Sequence, residues 1–116
     1  MKLSELKDKG GIVDAALVKK SVTWIRVGED GEKETLAFDV FIKRLSFGVM
    51  ERVMKADPTD PERSLTAALI SEGVRFGDSG EEEISYVDAF QLQPGLARVL
   101  SIAVKEVNLA GDPTKN

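Results

Sequence analysis

The sequence contains no cysteine and no histidine. Without Cys there is no disulfide framework, no thiol nucleophile and no zinc ribbon. Without His the commonest general base and metal ligand are both missing, and a Ser-His-Asp triad cannot form within the chain. Long apolar runs are absent as well. The longest stop at four residues, as in Ala15-Ala16-Leu17-Val18 and Ala67-Ala68-Leu69-Ile70. A spanning helix needs about 20 such residues, and the apolar region of a secretory signal about 7–15. We therefore expect a protein of the cytoplasm that does not enter a membrane.

At 116 residues, 42% of them hydrophobic and 31% charged, the chain suits one self-sufficient domain. A chain of this size buries roughly two-thirds of its unfolded surface, enough to fold without metal or disulfides. The formal net charge of -4 argues against a nucleic-acid binder, which attracts phosphate with clustered Lys and Arg. The charge is uneven. Residues 1–58 hold 11 basic and 10 acidic side chains, and residues 59–116 hold 5 and 10. The second half would favour a neutral or basic partner, although an acidic surface also simply keeps a small protein soluble.

Period and punctuation place the elements. Residues 3–9 suit a short helical turn with Leu3 and Leu6 on one side, stopped by Gly10-Gly11. Residues 18–27 read as a strand in which Val22 and Trp24 oppose Thr23, Ile25 and Val27. Asp30-Gly31 supplies the positive-φ turn of a hairpin. The return strand, 35–43, puts Phe38, Val40 and Ile42 on one face and Ala37, Asp39, Phe41 and Lys43 on the other. Ser46 caps a helix to about Lys55, ended by Asp57-Pro58.

Asp60-Pro61-Glu62 begins the next helix, expected to reach Arg75, with Leu65, Leu69, Ile70, Val74 and Phe76 on its buried arc. Residues 77–83 read as a polar loop. Ser85 and Asp88 form a capping box for a helix to about Leu92, and Pro94 opens the last helix, ending near Leu109. The expected class is α+β: an N-terminal β-hairpin followed by about four helices in one compact domain, residues 1–110, with 111–116 as a flexible tail.

Chemistry is sparse. Glu81-Glu82-Glu83 is the densest acidic cluster, but it lacks the alternating ligands of a calcium loop, and acids before a helix start serve its dipole. Gly10-Gly11 with Lys19-Lys20 does not match a phosphate-binding loop, which needs Lys directly after its last Gly. Lys43-Arg44 could meet an acidic partner, but charges at a strand end more often protect the edge. No spacing pairs Ser46, Tyr86 or a lysine with a base. We expect no catalytic residue, no metal and no cofactor.

Surface residues say more. On the last helix Leu96, Val99, Leu100, Ala103, Val104 and Val107 form a core stripe. Ile102 and Leu109 fall off it, seven residues apart, beside Arg98 and Lys105. Two apolar residues on a polar face can mark a contact with a partner or a second copy, or lie under a neighbouring element of the same domain. Phe47, Met50, Val53 and Met54 share one arc of the helix after Ser46. At that spacing intramolecular core is the better reading, with an adaptable binding surface as the alternative.

Four stretches carry a family resemblance. They are Met1-Lys2-Leu3-Ser4-Glu5-Leu6-Lys7, Phe38-Asp39-Val40-Phe41-Ile42-Lys43-Arg44-Leu45-Ser46-Phe47-Gly48, Ala68-Leu69-Ile70-Ser71-Glu72-Gly73-Val74-Arg75-Phe76-Gly77, and the run from Tyr86 through Pro94-Gly95-Leu96 to Glu106-Val107-Asn108. Together, over about residues 1–109, they resemble the small tail assembly chaperones of long-tailed bacteriophages and prophages. The resemblance implies a non-enzymatic role in virion morphogenesis in the cytoplasm of the infected or lysogenic host. Such proteins hold the long helical tape measure protein soluble, give way as tail tube protein polymerises, and are absent from the finished virion. This chain would be the short, non-frameshifted form. The competing expectation is a minor tail structural or tail-completion protein that stays in the particle.

Overall fold

A computed structural model describes residues 1–55, 60 and 63–109. The elements are α1 (Leu3–Asp8), β1 (Leu17–Val27), β2 (Lys33–Lys43), α2 (Phe47–Met54), α3 (Leu65–Gly73), β3 (Val74–Phe76), β4 (Glu82–Glu83), α4 (Tyr86–Phe90) and α5 (Pro94–Leu109). The class is α+β, with four helices after the long hairpin among the described residues, as expected. The helix end at Asp57-Pro58, the helix start at Pro61-Glu62 and the 111–116 tail lie outside the described residues.

β1 and β2 pair antiparallel from Leu17↔Lys43 to Val27↔Lys33. Their turn closes where the expected signal stands. Gly31 sits at φ 81°, and the Asp30 side chain accepts from the Glu32 amide at 3.0 Å. The strict alternation of β1 and β2 separates an inner face from an outer one. Val40 and Ile42 are fully buried on the inner face, with Val22 almost so and Phe38 packed against them. α5 crosses that face, chiefly against β1, and contributes fully buried Leu100 and Val104. Burying side chains of this size is worth about 1.5–3 kcal/mol each.

Two expectations change. The helix assigned from Asp60 to Arg75 begins at Leu65, where the Ser64 hydroxyl accepts from the Ala67 amide at 3.1 Å, and ends at Gly73. Val74-Arg75-Phe76 leaves the helix and pairs with β2 at Ile42 and Phe41. The β-branched and aromatic residues that complete a helical arc also suit a strand, and an open ladder on β2 decides between them. Consequently, the polar loop expected over 77–83 is a second, small hairpin. Glu82 and Glu83 pair with Phe76 and Arg75, giving a four-stranded antiparallel sheet in the order β1-β2-β3-β4.

Asn108, in the last turn of α5, fastens that helix to the end of β2. Its carbonyl oxygen accepts from the Leu45 amide at 2.7 Å. Its amide nitrogen donates to the carbonyls of Lys43 at 3.2 Å and Val104 at 2.9 Å. The clasp sets where α5 ends and so where Lys105 and Leu109 stand.

Candidate interaction surface

Several of the hydroxyls and carboxylates have local hydrogen-bond partners. Ser46 and Ser85 cap α2 and α4, accepting from the amides of Val49 and Asp88. The Tyr86 hydroxyl accepts from the Ser64 amide at 2.7 Å. Two carboxyls are held below their ordinary range. Asp39 is lowered first by the Ser21 hydroxyl, which donates at 2.6 Å, and then by nearby Lys19. Glu81 is lowered by its own backbone N–H and by the Ser79 amide and hydroxyl. Both are exposed features of turn and sheet. Among the described residues no three Asp or Glu side chains are grouped to hold a metal ion. Arg44 lies 3.4 Å from Asp14, and Glu83 3.6 Å from Arg75.

The unusual surface lies on the helices. α2 carries an apolar arc of about 160° at 100° per residue. Only one end of it meets the core: Val53 is 3% exposed and Val49 packs alongside. The other end is open, with Phe47 81% and Met54 61% exposed and Met50 between the two regimes. Core is therefore the wrong reading for Phe47 and Met54. The wheel correctly gathers these residues on one side, but the core packs against only part of that arc.

Beside Met50 and Met54 runs a groove of about 270 Å³ between α2, α3 and α5. Leu65, Leu69 and Leu109 complete its apolar walls, and Thr66 and Lys105 stand on its rim. Leu109 and Leu65 are nearly half exposed. Through Met50 and Met54 the groove continues into a broader concavity over α2, bordered by Phe47, Glu51 and Lys55.

The structure thus brings together five of the seven residues singled out in the sequence: Phe47, Met50, Met54, Lys105 and Leu109. It separates the other two. Ile102 is exposed at 40% but borders a shallow trough against β1, with Val22, Thr23, Val99 and Glu106. Arg98 is exposed on the same helix and lines neither depression. Leu65 escaped the sequence reading because the helix wheel placed it in a buried arc. A second exposed apolar pair, Val87 and Phe90 on α4, also went unread.

No described helix is long and apolar enough to cross a membrane. The family model described as "Phage tail assembly chaperone, TAC" matches residues 4–108. No curated protein and no solved structure matches the chain.

Proposed function

Because the chain belongs to the phage tail assembly chaperone family, we propose that it binds the tape measure protein and keeps it soluble until the tail tube is built. The observation that carries this reading is the open apolar surface from Phe47 through Met50 and Met54 to Leu65 and Leu109. A long helical rod exposes apolar stripes that aggregate when uncovered. An amphipathic helix laid in a groove buries such a stripe through anchors at i, i+3, i+4 and i+7. The contact area offered by one small domain is modest, so each copy releases readily, and many copies along one rod supply occupancy through avidity. Tail tube protein then displaces them, and the virion is left without them.

The role is non-enzymatic and belongs to the cytoplasm of the bacterial host. Self-association is part of the reading, with Leu109 and Lys105 at the groove and Ile102 and Arg98 as separate contact points on α5.

Co-expression tests it. The tape measure protein should stay in the soluble fraction with the wild-type chain and precipitate with the Phe47→Ser, Met54→Ser variant. Both replaced side chains are exposed, so the variant should melt within about 0.5 kcal/mol of the wild type. A tape measure protein equally soluble with either chain overturns the surface assignment. Mass spectrometry of purified particles separates the role from that of a retained tail subunit, which would appear at fixed copy number.

A further inference from the structure

The groove between α2, α3 and α5 carries a charge opposite to that of the chain. The protein has a formal net charge of -4, and residues 59–116 hold 10 acidic side chains against 5 basic ones. Counted that way, a basic partner suits it. The walls of the groove reverse the count. Among the described residues that line it and the adjoining concavity, the charged ones are Arg52, Lys55 and Lys105 against a single acid, Glu51. The surplus carboxylates stand elsewhere, about the tip of the first hairpin over residues 29–34 and along the second over residues 78–83.

Not all of that positive charge is free to meet a partner. Arg52 already lies 2.8 Å from Glu72 of α3. Lys55 closes the end of α2, where a cation also serves the helix dipole. Lys105 has no such role. It stands before the last turn of α5, and the residues one turn away from it, Ser101, Ile102, Asn108 and Leu109, are not acidic. Neither Lys55 nor Lys105 forms an ion pair among the described residues, and Glu51 and Lys55 stand one turn apart without meeting. Met50 and Met54 line both depressions, so each depression joins the same two methionines to one unpaired ammonium. A lysine at an apolar rim lays its stem along the wall and keeps its charge at the edge.

We propose that the groove takes an acidic amphipathic helix: apolar anchors three and four residues apart, bordered by Asp or Glu that meet Lys105 on one flank and Lys55 on the other. This names the client segment for the function proposed above, and it rests on that reading. Apolar contact supplies the affinity, and the charges choose among helices with similar anchors. A helix bordered by Lys brings like charges together in both depressions, with Glu51 alone to receive it.

Two synthetic helical peptides with identical Leu anchors test it, one bordered by Glu and the other by Lys, each titrated with the full chain and followed by fluorescence anisotropy. The Glu peptide should bind at least about five-fold tighter at low salt, a preference that fades toward parity in about 1 M salt. Lys55→Glu, Lys105→Glu should abolish or invert the preference; both side chains are exposed, so the variant should remain folded. Lys105→Glu alone, which leaves the end of α2 untouched, should reduce it. Lys9→Glu, Lys33→Glu makes the same change in net charge at exposed sites away from the groove and should keep the wild-type preference. Phe47→Ser, Met54→Ser should weaken both peptides alike. Equal affinities, a tighter Lys peptide, or a preference that survives reversal of the two lysines overturns the proposal, while sensitivity to the Phe47, Met54 variant keeps the groove as a helix site. Peptides that do not bind, or that ignore that variant, overturn the groove reading and the proposal with it.

Discussion

Replacing Asn108 by Ala should destabilise the domain by about 2 kcal/mol, although the residue sits in the last turn of a surface helix. Leu45 is only 7% exposed, and its amide has Asn108 Oδ1 as partner at 2.7 Å. Alanine leaves that N–H without an acceptor, at a cost of about 1–3 kcal/mol for a buried donor. The bond from Nδ2 to the Lys43 carbonyl goes as well, about 0.5–1.5 kcal/mol, partly offset where water reaches the freed oxygen. Alanine returns roughly 0.5 kcal/mol through its better helix propensity. For a domain of this size the net loss lowers Tm by about 10 °C.

The assay is built in. Trp24 is the only tryptophan, and its Nε1 donates to the Gln93 side chain at 3.1 Å where α5 begins. Its fluorescence follows separation of α5 from the sheet in a urea titration. Asn108→Asp should not rescue. It keeps an acceptor for Leu45 but sets an oxygen against the Lys43 and Val104 carbonyls, and places negative charge at a helix C-terminus. Since the clasp also positions Leu109 and Lys105, the Ala variant should weaken capture of tape measure protein at temperatures where it remains folded. An Ala variant within 0.5 kcal/mol of wild type would show that the clasp does not hold α5 in place.

Gly73→Ala should cost about 1–3 kcal/mol, because its Cβ would stand 2.8 Å from Val104 Cγ1 where α3 meets α5. Combining it with Val104→Ala should cost clearly less than the sum of the two; strict additivity in urea melts would show that the two residues do not collide. For Glu81 the folded carboxyl lies below its ordinary range, so its contribution is complete above the unfolded pKa and fades as pH falls through the folded one. The Glu81 side chain should therefore titrate below a peptide glutamate by NMR, and Glu81→Gln should flatten the acid limb of the stability curve; a value at or above the peptide glutamate sinks the assignment.

What could be read from the sequence was whatever is decided within one or two turns of chain. Ser46 and Ser85 announce helix starts because a hydroxyl reaches an amide three residues on. Asp30-Gly31 announces a hairpin because Gly31 takes a positive φ of 81° and the Asp30 carboxylate accepts from the Glu32 amide. The two faces of β2 follow from a period of two. Val74-Arg75-Phe76 was misread because helix and strand were both locally acceptable, and the choice belongs to Phe41 and Ile42, more than thirty residues upstream. Asn108 gave no signal at all: its partners Lys43 and Leu45 are adjacent to it only after α5 has crossed the sheet.

The α2 surface exposes a deeper limit of periodicity. An apolar arc states that a face is covered, and leaves open whether the cover belongs to the same chain. Val49 and Val53 lie at one end of the arc and Phe47 and Met54 at the other, and no sequence property distinguishes the two ends. The fold does, because α2 meets the core through Val53, Val49 and Met50 and leaves Phe47 and Met54 outside it. In an enzyme that leftover apolar edge would be a liability to be trimmed by selection against aggregation. In the chaperone role proposed above it is the surface offered to the client. The same argument applies to α1, whose Leu3 and Leu6 meet no core at all. On that proposal, apolar periodicity in excess of what the folded domain buries is the sequence trace of a binding surface. It becomes measurable here only once the solvent exposure of Phe47, Met54, Leu3 and Leu6 is known.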